Sequence, residues 1–106
     1  MYNKEAMIEL KKTLLKQFPT IIEKIILYGS RVSGEADKES DWDFLILADK
    51  APDRKTRIDL IDGLYDIELE TDEVLSSIIR SKEEWNSPQY SVLPFKKKVE
   101  KEGILL

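Results

Sequence analysis

The run from Trp42 to Ala48 constrains the fold of this chain more than any other stretch. Its side chains are apolar on both faces of an extended strand, and Asp43 is the one charged residue within it. Such a pattern is typical of a central strand, because both of its faces must be covered by other elements. We therefore predict a sheet with this strand inside it and other elements packed on its two sides.

The remaining elements follow from hydrophobic periodicity and from helix start and stop signals. Taken in order, they predict an α+β fold, in the form of an α/β sandwich with a small mixed β-sheet flanked by helices and the order α-β-β-α-β-α. The predicted bounds are helix 3–18, strand 24–28, a one-turn helix over 31–33, strand 42–48, helix 53–70, strand 74–79, a capping-box turn over 81–85 and helix 92–101.

Three local interpretations complete this prediction. Ser30 is expected to cap the one-turn helix, which Gly34 ends. The lysines at 96–98 are interpreted as the wet face of the last helix. The apolar tail 104–106 fits either a sheet edge or an interface with another molecule.

Composition limits the chemistry that this chain can perform. Its 106 residues fit one domain, 1–106. Cysteine and histidine are both absent, which excludes thiolate and imidazole chemistry as well as disulfides. A net charge of −4 argues against broad nucleic-acid binding. No apolar run is long enough for a membrane span and no signal peptide is visible, so we expect a cytoplasmic protein.

Two carboxylates precede and enter the central strand. Side chains alternate along a strand, so Asp41 and Asp43 point to the same face with their backbones about 7 Å apart. Two ionised carboxylates on one face repel each other and require positive compensation. Without histidine or cysteine, the fitting partner is Mg²⁺ or Mn²⁺, which prefers carboxylate oxygens and substrate phosphates. Asp41 and Asp43 are therefore predicted to be metal ligands and catalytic residues.

A glycine-serine turn follows the strand 24–28 and supplies the complementary half of such a site. Gly29 allows close approach of the backbone to a ligand, and the Ser30 hydroxyl with nearby amides is suited to phosphate oxygens. Arg31 and Lys38 are nearby cations that could neutralise a triphosphate. These residues predict a nucleotide-binding turn beside the metal ligands.

The Gly29-Ser30 pair, Gly34 and the run Ser40-Asp41-Trp42-Asp43 resemble the GS and SDxD signature of the nucleotidyltransferases related to DNA polymerase β. Nearly the whole chain is similar to the smallest members, the minimal nucleotidyltransferases (MNT). The resemblance implies a metal-dependent enzyme that transfers NMP, most simply AMP from ATP, to a hydroxyl of a protein or small molecule. It also implies that Gly29 and Ser30 bind triphosphate, with Ser40 alongside, and that Asp41 and Asp43 bind metal.

The chain departs from the family at a third carboxylate, which active members carry on the next strand. Counting along the strand 74–79 places Ser76 at that position. Serine is a poor ligand for Mg²⁺. If the strand began earlier, Glu70, Asp72 or Glu73 could replace it.

A second hypothesis follows from Ser76 and from the small size of the chain. Many MNT proteins resemble antitoxins that neutralise an all-helical HEPN (higher eukaryotes and prokaryotes nucleotide-binding) toxin. A catalytically weak or inactive MNT-like binding module with a HEPN-type protein partner is therefore the alternative to an active enzyme. A homo-oligomer is a further possibility that the sequence leaves open.

Overall fold

A computed structural model describes residues 4–34 and 41–106, with side chains described from residue 7 onward. Within these ranges no helix is both long and apolar enough to cross a membrane. The elements are α1 (Lys4–Gln17), β1 (Ile22–Tyr28), α2 (Ser30–Ser33), β2 (Trp42–Ala48), α3 (Arg54–Thr71), β3 (Leu75–Ser81), α4 (Lys82–Trp85), α5 (Pro88–Ser91), α6 (Pro94–Glu102) and β4 (Ile104–Leu105).

The four strands form one mixed sheet in the order β3-β2-β1-β4. β1 pairs antiparallel with both β2 and β4, whereas β2 and β3 run parallel. The parallel pair needs a crossover connection, and α3 provides it. The predicted α+β fold with a small mixed sheet flanked by helices is thus confirmed.

Strand β2 lies inside the sheet and is covered on both faces, as its apolar pattern predicted. Phe44 and Ile46 point to the core formed with α1 and α3. Leu45 and Leu47 point to the other face and pack with Trp85 of α4 and Val99 of α6. These four side chains of β2 are almost completely buried. Each contributes about 1.5–3 kcal/mol of transfer free energy, which makes β2 the centre of both cores.

The last part of the chain differs from the prediction in two ways. The expected helix over 92–101 is observed as α6, which begins only at Pro94 because Leu93 precedes a proline and such a residue is disfavoured in helical conformation. A separate one-turn helix, α5, comes before it and was not predicted. Pro94 then begins α6 at a position where proline is tolerated. The apolar tail forms β4 beside β1, so of its two interpretations the sheet edge is confirmed.

Lys96 also departs from its prediction, since it is not on a wet face. Its side chain is buried, and Nζ donates a hydrogen bond of 2.7 Å to the carbonyl oxygen of Trp85. The ammonium lies 5.5 Å from the centre of the Trp85 ring, within cation–π range. The aliphatic part of a lysine side chain tolerates burial when its ammonium has a partner, and here that partner is the carbonyl of the last residue of α4. Lys97 and Lys98 are exposed, as predicted.

The predicted boundaries elsewhere are close to those observed. Asp53 caps α3 by accepting a hydrogen bond of 2.8 Å from the amide of Thr56. The predicted capping box is present at α4, where the Ser81 hydroxyl and the Glu84 carboxylate each accept from the other residue's amide. Strand β3 is two residues longer than predicted at its end, since it continues through Arg80 to Ser81.

Candidate functional site

The antiparallel pairing of β1 and β2 brings the two halves of the predicted site together. Tyr28, the last residue of β1, pairs with Asp43 near the start of β2. The glycine-serine turn that follows β1 therefore lies beside the carboxylates that begin β2. On its other side Asp43 is in register with Ser76 of β3. Tyr28, Asp43 and Ser76 form a row across one face of the sheet, because laterally paired residues point the same way.

Gly29 and Asp43 are in direct contact. Gly29 has φ 86° and ψ −161°, a backbone conformation that is essentially restricted to glycine. A Cβ atom built on this residue would clash with Oδ2 of Asp43 and lie 3.1 Å from its Cγ. The space that a side chain would fill at Gly29 is therefore occupied by the Asp43 carboxylate.

The turn after Gly29 is the one-turn helix α2. The Gly29 carbonyl accepts hydrogen bonds of 3.1 Å from the amides of Val32 and Ser33. The prediction that Ser30 caps this helix is wrong: Gly29 is the N-cap, without a side-chain cap, and Ser30 is the first helical residue. Because the chain turns at Gly29, the helix begins one residue earlier than expected. Gly34 ends α2 in a left-handed conformation, as predicted.

The electrostatics of the carboxylate pair favour a cation. Asp43 is half-buried, whereas Asp41 is exposed. Burial raises the pKa of Asp43 above its ordinary value, and the negative charge of Asp41 raises it further. Burial and the Asp43 charge likewise raise the pKa of Tyr28. Two carboxylate groups, one of them partly shielded from water, are ligands of the kind that Mg²⁺ or Mn²⁺ prefers.

Replacing Asp43 with asparagine is expected to stabilise the metal-free protein at neutral pH. A carboxyl whose pKa is raised on folding makes the folded state bind protons more tightly, so its ionisation costs stability as pH rises from about 4 through the raised pKa. Asparagine lacks this cost. Thermal unfolding in EDTA should give a higher Tm for Asp43→Asn at pH 7, with the difference shrinking below pH 4. An equal or lower Tm at pH 7 would contradict this account of the site.

Ser76 is exposed and level with Asp43, and its replacement of a third carboxylate stays a prediction. Of the acidic alternatives, Glu73 accepts a hydrogen bond of 3.1 Å from Nε1 of Trp42, whose ring packs into the core on the other face of the sheet. Glu70 and Asp72 belong to the end of α3, before the strand. The described residues contain no group of three acidic side chains placed to hold one metal ion.

Of the two cations predicted to bind phosphate, Arg31 and Lys38, only Arg31 lies within the described residues. The Arg31 guanidinium lies 4.4 Å from the centre of the Trp42 ring and 3.6 Å from Oε2 of Glu73. It is thus engaged with groups other than the Asp41 and Asp43 pair, and its role in nucleotide binding stays a prediction. Lys38 and Ser40 lie outside the described residues.

A cleft of about 160 Å³ adjoins the glycine-serine turn, and sequence reasoning did not find it. Tyr28 and Gly29 form one wall, while Phe95, Lys98, Val99 and Glu102 of α6 contribute the other. The rings of Tyr28 and Phe95 meet edge to face, with centroids 5.3 Å apart. Tyr28 could have been singled out as the neighbour of Gly29. Lys98 could not, because only the packing of α6 on the sheet brings it here.

The chain is similar to known nucleotidyltransferases. Residues 9–106 match the family model described as polymerase beta, nucleotidyltransferase. A Methanocaldococcus jannaschii protein, named as a candidate protein adenylyltransferase, is 35% identical over 79 residues, which cover 71% of this chain and 80% of that protein.

Solved structures share the fold. A chain of the toxin–antitoxin MntA–HpeT structure matches 100% of this chain and 72% of its own length, with a TM-score of 0.59 and 22% identity. A toxin–antitoxin structure with AMP-PNP matches 98% of this chain and 72% of its own, with a TM-score of 0.60 and 22% identity. The solved structures show a shared fold, while the family match and the archaeal relative show that the chain belongs to the polymerase β nucleotidyltransferase family, as its resemblance implied.

Proposed function

We propose that this protein transfers NMP, with AMP from ATP as the simplest case, to a hydroxyl group of a protein or small molecule. The observation that carries the proposal is the contact between the Asp43 carboxylate and Gly29, since it places the proposed metal ligand next to the turn that is proposed to bind phosphate. The family to which the chain belongs and the named adenylyltransferase activity of its archaeal relative support the same reaction.

In this proposal Asp41 and Asp43 hold Mg²⁺ or Mn²⁺, and the turn at Gly29 and Ser30 holds the triphosphate. A bound divalent ion lowers the pKa of the acceptor hydroxyl and offsets charge on the leaving pyrophosphate. The chain itself supplies positioning, because the turn at Gly29 lies against the Asp43 carboxylate. Lys38, Ser40 and Arg31 are further candidates for contact with the phosphates.

Calorimetric titration of ATP with Mg²⁺ tests the nucleotide site directly. We expect saturable binding to the wild-type chain that EDTA abolishes, and loss of that binding in Asp43→Asn. The cleft beside Gly29 offers a second readout. A nucleotide base bound there should alter the edge-to-face contact between the rings of Tyr28 and Phe95. Absence of ATP binding to the wild type would refute the proposal.

The second candidate function is a catalytically weak or inactive MNT-like module that acts as the antitoxin partner of a HEPN-type toxin. The observation that favours it is Ser76, which is in register with Asp43 where active relatives of the resembled family carry a third carboxylate. The toxin–antitoxin setting of the two structural matches agrees with it. A complex with such a toxin that forms equally well with Asp41→Asn and Asp43→Asn would favour this function over transfer.

Introducing an acidic side chain at Ser76 separates the two candidates. If the missing carboxylate limits turnover, Ser76→Asp should raise the rate of AMP transfer about tenfold or more, because a third oxygen ligand would fix the metal geometry. Ser76→Asn is the matched control, since it has the same size but no charge, and it should leave the rate unchanged. An equal rate in wild type and Ser76→Asp would show that this position does not limit the reaction.

A further inference from the structure

The outer face of α3 carries a row of apolar side chains that the fold does not bury. Ile58, Ile61, Tyr65 and Leu69 are exposed to 47%, 51%, 60% and 69% respectively. Their spacing of three and four residues places them on one face of the helix, and we call them the apolar ridge. The opposite face of α3 already fills the core through Leu60, Leu64 and Ile67. The ridge therefore contributes nothing to the core of this chain.

An acidic row runs beside the apolar ridge along its whole length. Each member follows one residue after a ridge residue, and all four are exposed: Asp59, Asp62, Asp66 and Glu70. None of the four forms an ion pair with another residue of the described chain. The apolar ridge is thus flanked by a line of negative charge that nothing described in the chain neutralises.

The charge of α3 is also polarised along the helix. Its first two residues, Arg54 and Lys55, are exposed cations, whereas the acidic row begins at Asp59 and continues to Glu70. A ligand that lies along the ridge would meet positive charge at the start of α3 and negative charge over the rest. This surface therefore favours a ligand of positive charge over most of its length, and it favours one orientation of that ligand along α3.

We propose that the outer face of α3 is a docking surface for a basic amphipathic helix of a partner protein. Its apolar side chains would cover the ridge, and its lysine or arginine side chains would lie over the acidic row. The surface is independent of the nucleotide site, because α3 packs on the face of the sheet opposite Asp43.

The charges disfavour other occupants. Two copies packed ridge to ridge with their α3 helices antiparallel, about a two-fold axis perpendicular to them, would set the acidic row of one against the same row of the other. Nucleic acid and anionic bilayers would be repelled by the same row. A helix with basic flanks is the occupant that satisfies both the ridge and the row.

The test uses a fluorescein-labelled 18-residue synthetic helix with a leucine ridge flanked by lysines, and a second peptide with glutamate in place of each lysine. Fluorescence anisotropy at low salt should show that the basic peptide binds at least about tenfold more tightly than the acidic one. Asp62→Lys combined with Asp66→Lys should weaken binding of the basic peptide about tenfold. Ile61→Ser combined with Leu69→Ser should do the same through loss of the apolar contact.

Glu9→Lys combined with Glu83→Lys is the matched control, because it makes the same charge change at exposed positions outside α3. It should leave binding within about twofold of wild type. Equal binding of the two peptides, or equal weakening by the control, would overturn the proposal. Dimerisation in sedimentation equilibrium that disappears in the Ile61→Ser and Leu69→Ser variant would also overturn it, by assigning the ridge to a second copy. Thermal melts check that each variant is folded.

Discussion

Replacing Asp43 with asparagine is expected to slow NMP transfer by about 10³-fold. The substitution removes one of two carboxylates proposed to hold the metal, and metal-ion stabilisation of transition-state charge is worth several kcal/mol, at 1.36 kcal/mol for each factor of ten. The measurement is transfer of label from α-labelled ATP to an acceptor in host lysate, with Mg²⁺ or Mn²⁺. Label transfer at an undiminished rate would remove Asp43 from the proposed site.

Two further measurements distinguish a loss of transfer activity in Asp43→Asn from unfolding of the variant. Asp49→Asn is the matched control, since Asp49 directly follows the other end of β2 and is exposed. Its ion pair with Lys82, at 2.7 Å, is also exposed, and such pairs contribute little to stability. We expect transfer by Asp49→Asn to equal that of wild type. Asp43→Asn, by contrast, is expected to be more stable than wild type at neutral pH, so its loss of activity would not reflect loss of the fold.

Replacing Gly29 with alanine is expected to destabilise the fold by about 3 kcal/mol and to abolish ATP binding. The backbone conformation of Gly29 alone costs another residue about 1–3 kcal/mol. The new methyl group would also clash with the Asp43 carboxylate, and relief of that clash displaces a proposed metal ligand. Urea unfolding measures the first effect and calorimetric titration of ATP with Mg²⁺ the second.

Gly34 provides the matched control for Gly29. It has a similar φ of 87°, but no atom of the described residues lies within 4 Å of a Cβ built there. Gly34→Ala should therefore cost only the strain of a left-handed conformation, about 1 kcal/mol, and leave ATP binding intact. In Gly29→Ala combined with Asp43→Ala the clash is absent, so the double variant should lose less stability than the sum of the single ones. Additive losses would contradict a direct contact between these residues.

Much of the fold was predictable because its signals are local. The double-sided apolar run 42–48 predicted a covered central strand, and the glycine-serine turn and the carboxylates of Asp41 and Asp43 predicted the two halves of one site. Capping residues such as Asp53 and Ser81 marked helix starts through hydrogen bonds made within three residues. All of these patterns depend on residues close together in the chain.

Errors and undecided alternatives arose where a residue's role depends on distant parts of the chain. Lys96 was expected in water, yet its ammonium reaches a carbonyl of α4 through the packing of two helices on the sheet. The tail 104–106 fitted two environments, and only the free edge of β1 decided between them. A charged or apolar side chain can be stable in more than one environment, so the residue type alone does not determine whether it is buried or exposed.

The sequence by itself determined which runs form strands, where the chain turns after β1, and that Asp41 and Asp43 share one face at the start of β2. Local stereochemistry and the alternation of side chains along a strand dictate these features. Tertiary structure alone decided that Gly29 touches Asp43 and that Arg31 lies on Trp42, and the observed strand register places Ser76 level with Asp43. It also left the apolar ridge of α3 outside the core. These outcomes follow from strand register and helix packing, which join residues that are far apart along the chain.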